Sequence, residues 1–86
     1  MPTPDVEFDL AAVNDVRRLP AEVRVRIVRR IEWLAEHWED IRPEPLSGTY
    51  RRCSKLRVGD WRVIYYVDEG PTIVVWAVRH RSEAYR

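Results

Sequence analysis

One apolar stripe narrows the possible folds more than any other feature of this chain. Val23, Ile27, Ile31, Leu34 and Trp38 recur at intervals of four, four, three and four. That is the period of an α-helix with one face turned to a core. Val28 and Ala35 flank the stripe, and Arg24, Arg26, Arg29, Arg30, Glu32 and Glu36 lie mostly off it. Leu19-Pro20 stands just before it. Proline ends a preceding helix and suits the first turn of the next. Leu10 to Arg18 is therefore expected as a first helix, with Asp9 able to cap it. The two helices form a hairpin bent at Leu19-Pro20.

After the stripe the period changes. Arg42-Pro43-Glu44-Pro45-Leu46-Ser47-Gly48 carries two prolines and a glycine and reads as a loop. Tyr50 to Val58, Trp61 to Val67 and Thr72 to Arg79 read as strands, the second rich in β-branched and aromatic residues. Gly59-Asp60 and Asp68-Glu69-Gly70-Pro71 turn the chain between them, which makes an antiparallel meander. Val6 and Phe8 alternate with Glu7 and Asp9, a short first strand. Ser82 to Arg86 is at most one helical turn. The order is β-α-α-β-β-β: an α+β fold with the helical hairpin packed on one face of a small, mainly antiparallel sheet. At 86 residues, the span 1–86 is one domain.

Composition removes several functions. One cysteine, Cys53, and two histidines supply neither a disulfide nor a zinc-ligand set, so no metal and no cofactor are expected. The N-terminus has no charged-then-apolar leader, and the longest apolar run, Ile73 to Val78, is too short to cross a bilayer. A cytoplasmic protein with no membrane partner is the expectation. So small a domain has little room for a deep private cavity, so function belongs on a surface groove. The net charge of +1 hides an asymmetry: residues 1–46 carry 7 basic and 10 acidic residues, and residues 47–86 carry 8 and 4. A basic half suggests an anionic partner, either nucleic acid or an acidic protein.

The helices cover one sheet face and leave the other for chemistry. Along the strand from Tyr50, one set of alternate positions is Arg51, Cys53, Lys55 and Arg57. The other set ends in Leu56 and Val58, which are expected to face the helices. Lys55 and Arg57 then share the open face, and Arg62 joins them across a tight turn. Arg79 ends the last strand, followed by His80, Arg81 and Tyr85. Such a cluster fits a phosphodiester, because arginine forks onto phosphate oxygens and lysine adds a point charge. The competing reading pairs each cation with Asp60, Asp68, Glu69 or Glu83. Lys55 is the only lysine among fifteen basic residues.

Metal-free RNA cleavage needs a base, charge stabilisation and a proton for the leaving oxygen. Tyr85 or Glu44 can serve as base, and Lys55, Arg57 and Arg62 can stabilise charge. His80 or Arg79 can assist the leaving group, arginine only electrostatically. Histidine as a residue type suits proton transfer near neutral pH, although a lone histidine is more often structural. Trp61 can stack on a base or pack within its strand. Trp33 and Trp38 are read as core. Cys53 has no base nearby in sequence and is read as incidental.

The stretch from Lys55 through Val58-Gly59-Asp60-Trp61-Arg62 to Tyr65, followed by Val78-Arg79-His80-Arg81-Ser82-Glu83-Ala84-Tyr85, closely resembles the signature of RelE-like toxins of type II toxin–antitoxin systems. The resemblance covers most of the chain. It implies a ribosome-dependent mRNA endoribonuclease that inhibits translation and is neutralised by a cognate antitoxin in a hetero-oligomer. By the same resemblance, Lys55 matches a catalytic lysine and Arg62 the arginine that holds the scissile phosphate. Arg79 matches the arginine near the leaving group, and Tyr85 the base-stacking tyrosine. Arg57, with Arg51 and Arg81, extends the RNA-binding set. Pro43-Glu44-Pro45-Leu46 and His80 resemble a second, YoeB-like lineage that uses a glutamate and a histidine. Cys53 stands where RelE has a second lysine, and Trp61 where a tyrosine is usual. Two alternatives remain open: a ParE-like inhibitor that acts on DNA gyrase by binding, and an inactive homologue that only binds antitoxin.

Overall fold

The computed structural model describes residues 3–41, 44–45, 53–68 and 70–83. The chain opens with strand β1 (Asp5–Phe8), then helices α1 (Leu10–Arg17) and α2 (Ala21–Glu36). A 3-10 turn (Trp38–Asp40) leads to β2 (Glu44–Pro45), β3 (Ser54–Val58), β4 (Trp61–Asp68) and β5 (Thr72–His80). The five strands lie in the order β1-β5-β4-β3-β2. The meander β3-β4-β5 is antiparallel as expected, and β1 adds to β5 in parallel. The last strand made is thus the one that joins the first strand to the meander.

The apolar stripe of α2 forms the core, with two adjustments. Ile27, Ile31 and Leu34 are buried against Leu56, Val58, Val63, Tyr65, Ile73, Val75 and Val78 of the sheet. Each fully buried aliphatic side chain contributes about 1.5–3 kcal/mol. Val23 and Trp38 only border this core. Trp38 lies past the end of α2, because the helix stops at Glu36 and His37 breaks its geometry at φ −108°, ψ 21°. Asp9 occupies the N-cap position of α1 without a side-chain cap. Its backbone N–H instead donates to Val75 O at 2.9 Å, so it prolongs the strand pairing.

One segment corrects the sequence reading. Glu44-Pro45, expected within a loop, pairs as β2 with β3, Glu44 opposite Lys55 and Pro45 opposite Ser54. β2 is an edge strand. Edge strands are among the few places in a sheet where proline is tolerated. The start of the strand expected from Tyr50 lies outside the described residues, and β3 runs from Ser54.

A bulge in β5 sets the phase of the open face. Ile64 pairs with Ala77 and Tyr65 with Val75, so the register shifts by one residue at Trp76. Trp76 and Ala77 both join Ile64 and Cys53 in a small apolar cluster separate from the main core. A bulge of this kind re-aims the residues that follow it.

Candidate nucleic-acid interface

Strand register decides which cations share a surface. Arg57 pairs with Arg62, and Arg62 with Arg79, so three arginines stand in one row across β3, β4 and β5. In the next row Glu44, Lys55, Ile64 and Ala77 stand opposite one another. Paired residues share a face. Leu56, Val58, Val63 and Val78 face the helices, so both rows belong to the open side. Residues directly opposite have Cβ atoms about 5 Å apart, and like charges there are destabilising. An arrangement of this kind is relieved by an anion or a counter-charge.

The three row members differ in what holds them. Arg62 donates from one guanidinium nitrogen to Gly59 O at 2.8 Å and Trp61 O at 2.9 Å. Two main-chain carbonyls fix its direction without cancelling its charge. Arg79 pairs with the Asp15 carboxylate of α1 and also donates to Val78 O at 3.1 Å. The same Asp15 oxygen accepts the Val78 backbone N–H at 3.0 Å. Asp15 therefore closes the β5 edge beyond the end of β1 and partly neutralises Arg79. Sequence reading missed Asp15, which is 63 residues from Val78, and no local pattern marks it. Arg57 is exposed and Lys55 half-buried. The β2–β3 pairing puts Glu44 opposite Lys55, which makes Glu44 a neighbour of the cations in register.

Two expected members stand on the other face. Val58, Trp61 and His80 form a row, and Val58 and Trp61 pack with the helix-side core. His80 meets Trp61 edge-on at 5.1 Å between ring centroids. Its Nδ1 accepts the Ser82 backbone N–H at 3.3 Å and lies 2.9 Å from the Ser82 hydroxyl. That assigns the ring proton to Nε2 and ties the imidazole to the turn after β5. His80 and Trp61 are thus a packing pair at the sheet end, away from the row of arginines. The physical reason is parity: a two-residue turn makes Trp61 the partner of Val58, so both point the same way. Arg81 is exposed and stands 3.7 Å from Asp60 across that turn. Arg51 and Tyr85 lie outside the described residues.

Arg26 of α2 is a further cation that sequence reading left among solvated charges. Gly59 opens the β3–β4 turn at φ 59°, and a Cβ there would lie 2.8 Å from an Arg26 guanidinium nitrogen. The lack of a side chain lets α2 bring this cation to the turn whose carbonyl holds Arg62. Burial pushes the Cys53 thiol up from its ordinary value. A thiol kept protonated is a poor nucleophile. Burial likewise raises the Tyr65 phenol, opposed by its hydrogen bond with Ser54.

This α+β fold is shared by solved toxin structures. The toxin–antitoxin complex RelBE2 of Mycobacterium tuberculosis matches at 24% identity and a TM-score of 0.80, over 93% of this chain and 100% of that one. The isolated RelE toxin of E. coli matches at 25% identity and 0.74, over 95% and 90%. The RelB–RelE complex of Methanococcus jannaschii matches at 25% and 0.66, over 92% and 94%. No curated protein matches it in sequence. Fold and sequence together define a type II toxin of the RelE/ParE superfamily. Residues 6–85 match the model of the ParE toxin of type II toxin–antitoxin systems, and the chain belongs to that family.

Proposed function

We propose that this toxin is an mRNA endoribonuclease that acts on the ribosome and is held inactive by a cognate antitoxin. The observation that carries the reading is the cross-strand row Arg57–Arg62–Arg79, with Lys55 in the adjoining row. Arg62, oriented by Gly59 O and Trp61 O, binds the scissile phosphate. Lys55 and Arg57 stabilise the charge that develops on it. Glu44, opposite Lys55 in register, or Tyr85 takes the 2′-hydroxyl proton. Arg79 acts electrostatically at the leaving oxygen, and its strength is set by how far phosphate displaces Asp15 from it. The isolated E. coli RelE toxin shares this fold and supports a toxin reading. Relatives crystallised as toxin–antitoxin complexes support an antitoxin partner. Its acidic groups would cover the basic face.

Induction of the chain followed by transcript-end mapping tests this. Cuts within translated codons are expected. Arg62→Ala is expected to abolish growth arrest with an unchanged circular-dichroism spectrum. Intact transcripts in arrested cells would overturn the proposal.

A second reading, gyrase inhibition by binding alone, is favoured by two observations. The family model is that of ParE. Asp15 also withdraws part of the charge of Arg79. Separate pulse-labelling of protein and DNA after induction discriminates them: DNA synthesis failing first, with translation intact, selects the gyrase reading.

A further inference from the structure

The charge of the N-terminal half is unevenly spread. Residues 17–30 hold six arginines and one glutamate, although residues 1–46 are net acidic. On α2 these arginines are not uniformly arranged. Arg26, Arg30, Trp33 and His37 follow one another at intervals of four, three and four, a stripe along one flank beside the buried face. Three contacts tie the stripe together. The Arg30 guanidinium lies 4.0 Å from the Trp33 ring centroid. Trp33 stacks on His37 at 4.7 Å with 24° between planes. His37 Nδ1 meets Trp33 O at 2.9 Å.

Helix stability alone does not explain this stripe. Arginines four apart on a helix repel. Among the described residues, no carboxylate pairs with Arg26 or Arg30, although Glu22 stands one turn before Arg26. Arg26 lies against Gly59, and Gly59 O holds Arg62. The stripe is therefore continuous, around the β3–β4 turn, with the cations of the open face.

We infer that this flank of α2 is a second contact surface for single-stranded RNA, leading the strand from the Arg57–Arg62 row past Gly59 onto Arg26, Arg30 and His37. The inference rests on the nucleic-acid reading of the open face but not on cleavage. Its chemistry is that of single-strand binding: cations track phosphates while flat rings accept bases without reading sequence. An arginine stacked by its plane keeps its N–H edge for phosphate, so Arg30 serves both roles. Exposed His37 is the outer end of the stack. From Arg26 to Glu36 the helix rises roughly 15 Å, with His37 just beyond its end, room for a few nucleotides. Glu36, Glu39 and Asp40 line a cleft immediately beyond. Their charge ends the track there.

The test uses the purified full chain and fluorescein-labelled 2′-O-methyl oligouridylates of four and ten nucleotides, which cannot be cleaved. The longer probe is expected to bind wild type about tenfold more tightly, one stacked base being worth that much. Arg26→Gln/Arg30→Gln should lose that gain. It should also lower the salt dependence of the ten-nucleotide probe by about 1.4 in log–log slope, since each single-strand phosphate contact contributes about 0.7. Arg26→Lys/Arg30→Lys keeps the charge and should restore the slope. His37→Ala, at an exposed position, should reduce the length gain without changing the slope. No length gain in wild type, or a gain and slope unchanged in the glutamine variant, would overturn the inference. Equal competition by duplex DNA would overturn it as well. A chain that shows these effects and cuts no transcript keeps the track and loses the ribonuclease. A chain that cuts transcripts but binds both probes equally does the reverse.

Discussion

Arg62 and Arg79 show how two arginines in register can be used differently. Arg62 is aimed by carbonyl oxygens and keeps its full charge, whereas Arg79 is shared with Asp15. Asp15 has two tasks, and substitution separates them. Asp15→Asn keeps an oxygen for the Val78 N–H and removes the charge facing Arg79. Because the Arg79 side chain is 38% exposed, that pair contributes little to stability, and a change within about 1 kcal/mol is expected. Asp15→Ala leaves the Val78 N–H without an acceptor and should cost about 1–3 kcal/mol. Urea unfolding of both variants checks the difference, and equal losses would show that the ion pair carries the effect. Lys55, Arg57 and Arg62 were legible in the sequence because Leu56 and Val58 fix the phase of β3. The same phase places Trp61 with Val58, yet the motif drew Trp61 and His80 toward the chemistry. Asp15 was not legible, because its contact depends on how α1 lies along β5.

At the scale of elements, the helical hairpin and the meander follow from period and punctuation. β2 did not, because edge pairing of a proline-rich pair depends on a neighbour that only the fold supplies. The bulge at Trp76 was equally hidden, since an extra residue changes phase without changing composition. The β3–β4 turn joins both halves of the basic surface. Gly59→Ala places an L side chain at φ 59° and against Arg26. A loss of about 1–2 kcal/mol is expected for the left-handed backbone alone, and thermal unfolding measures it. In α2, Ile31→Ala removes a side chain 2% exposed at the centre of the core. Such truncations cost about 2–5 kcal/mol, a large share of the stability of a domain this size. A far-ultraviolet melt should show the variant largely unfolded near 37 °C.

For the molecule as a whole, alkaline pH is the informative stress. Tyr65 is 1% exposed, and its phenol is raised above the ordinary value by burial. Below that ordinary value folded and unfolded chains both hold the proton, so this group leaves stability unchanged. Above it the unfolded chain releases its proton first, so stability falls as pH rises, until the folded phenol ionises too. Tyr65→Phe should flatten the loss above about pH 10, the usual tyrosine value. A slope identical to wild type would assign the alkaline loss to other groups.

The sheet order also bears on timing during synthesis. Residues 72–80 sit between the amino-terminal strand and the rest of the sheet, so neither neighbour has its partner until they emerge. Polypeptides are made from the amino end, and pairings between distant segments are slow to form. A copy whose residues 72–80 have not yet emerged therefore has no Arg62–Arg79 pairing. The arginine row is therefore completed only after β5, the strand that carries Arg79, has been made.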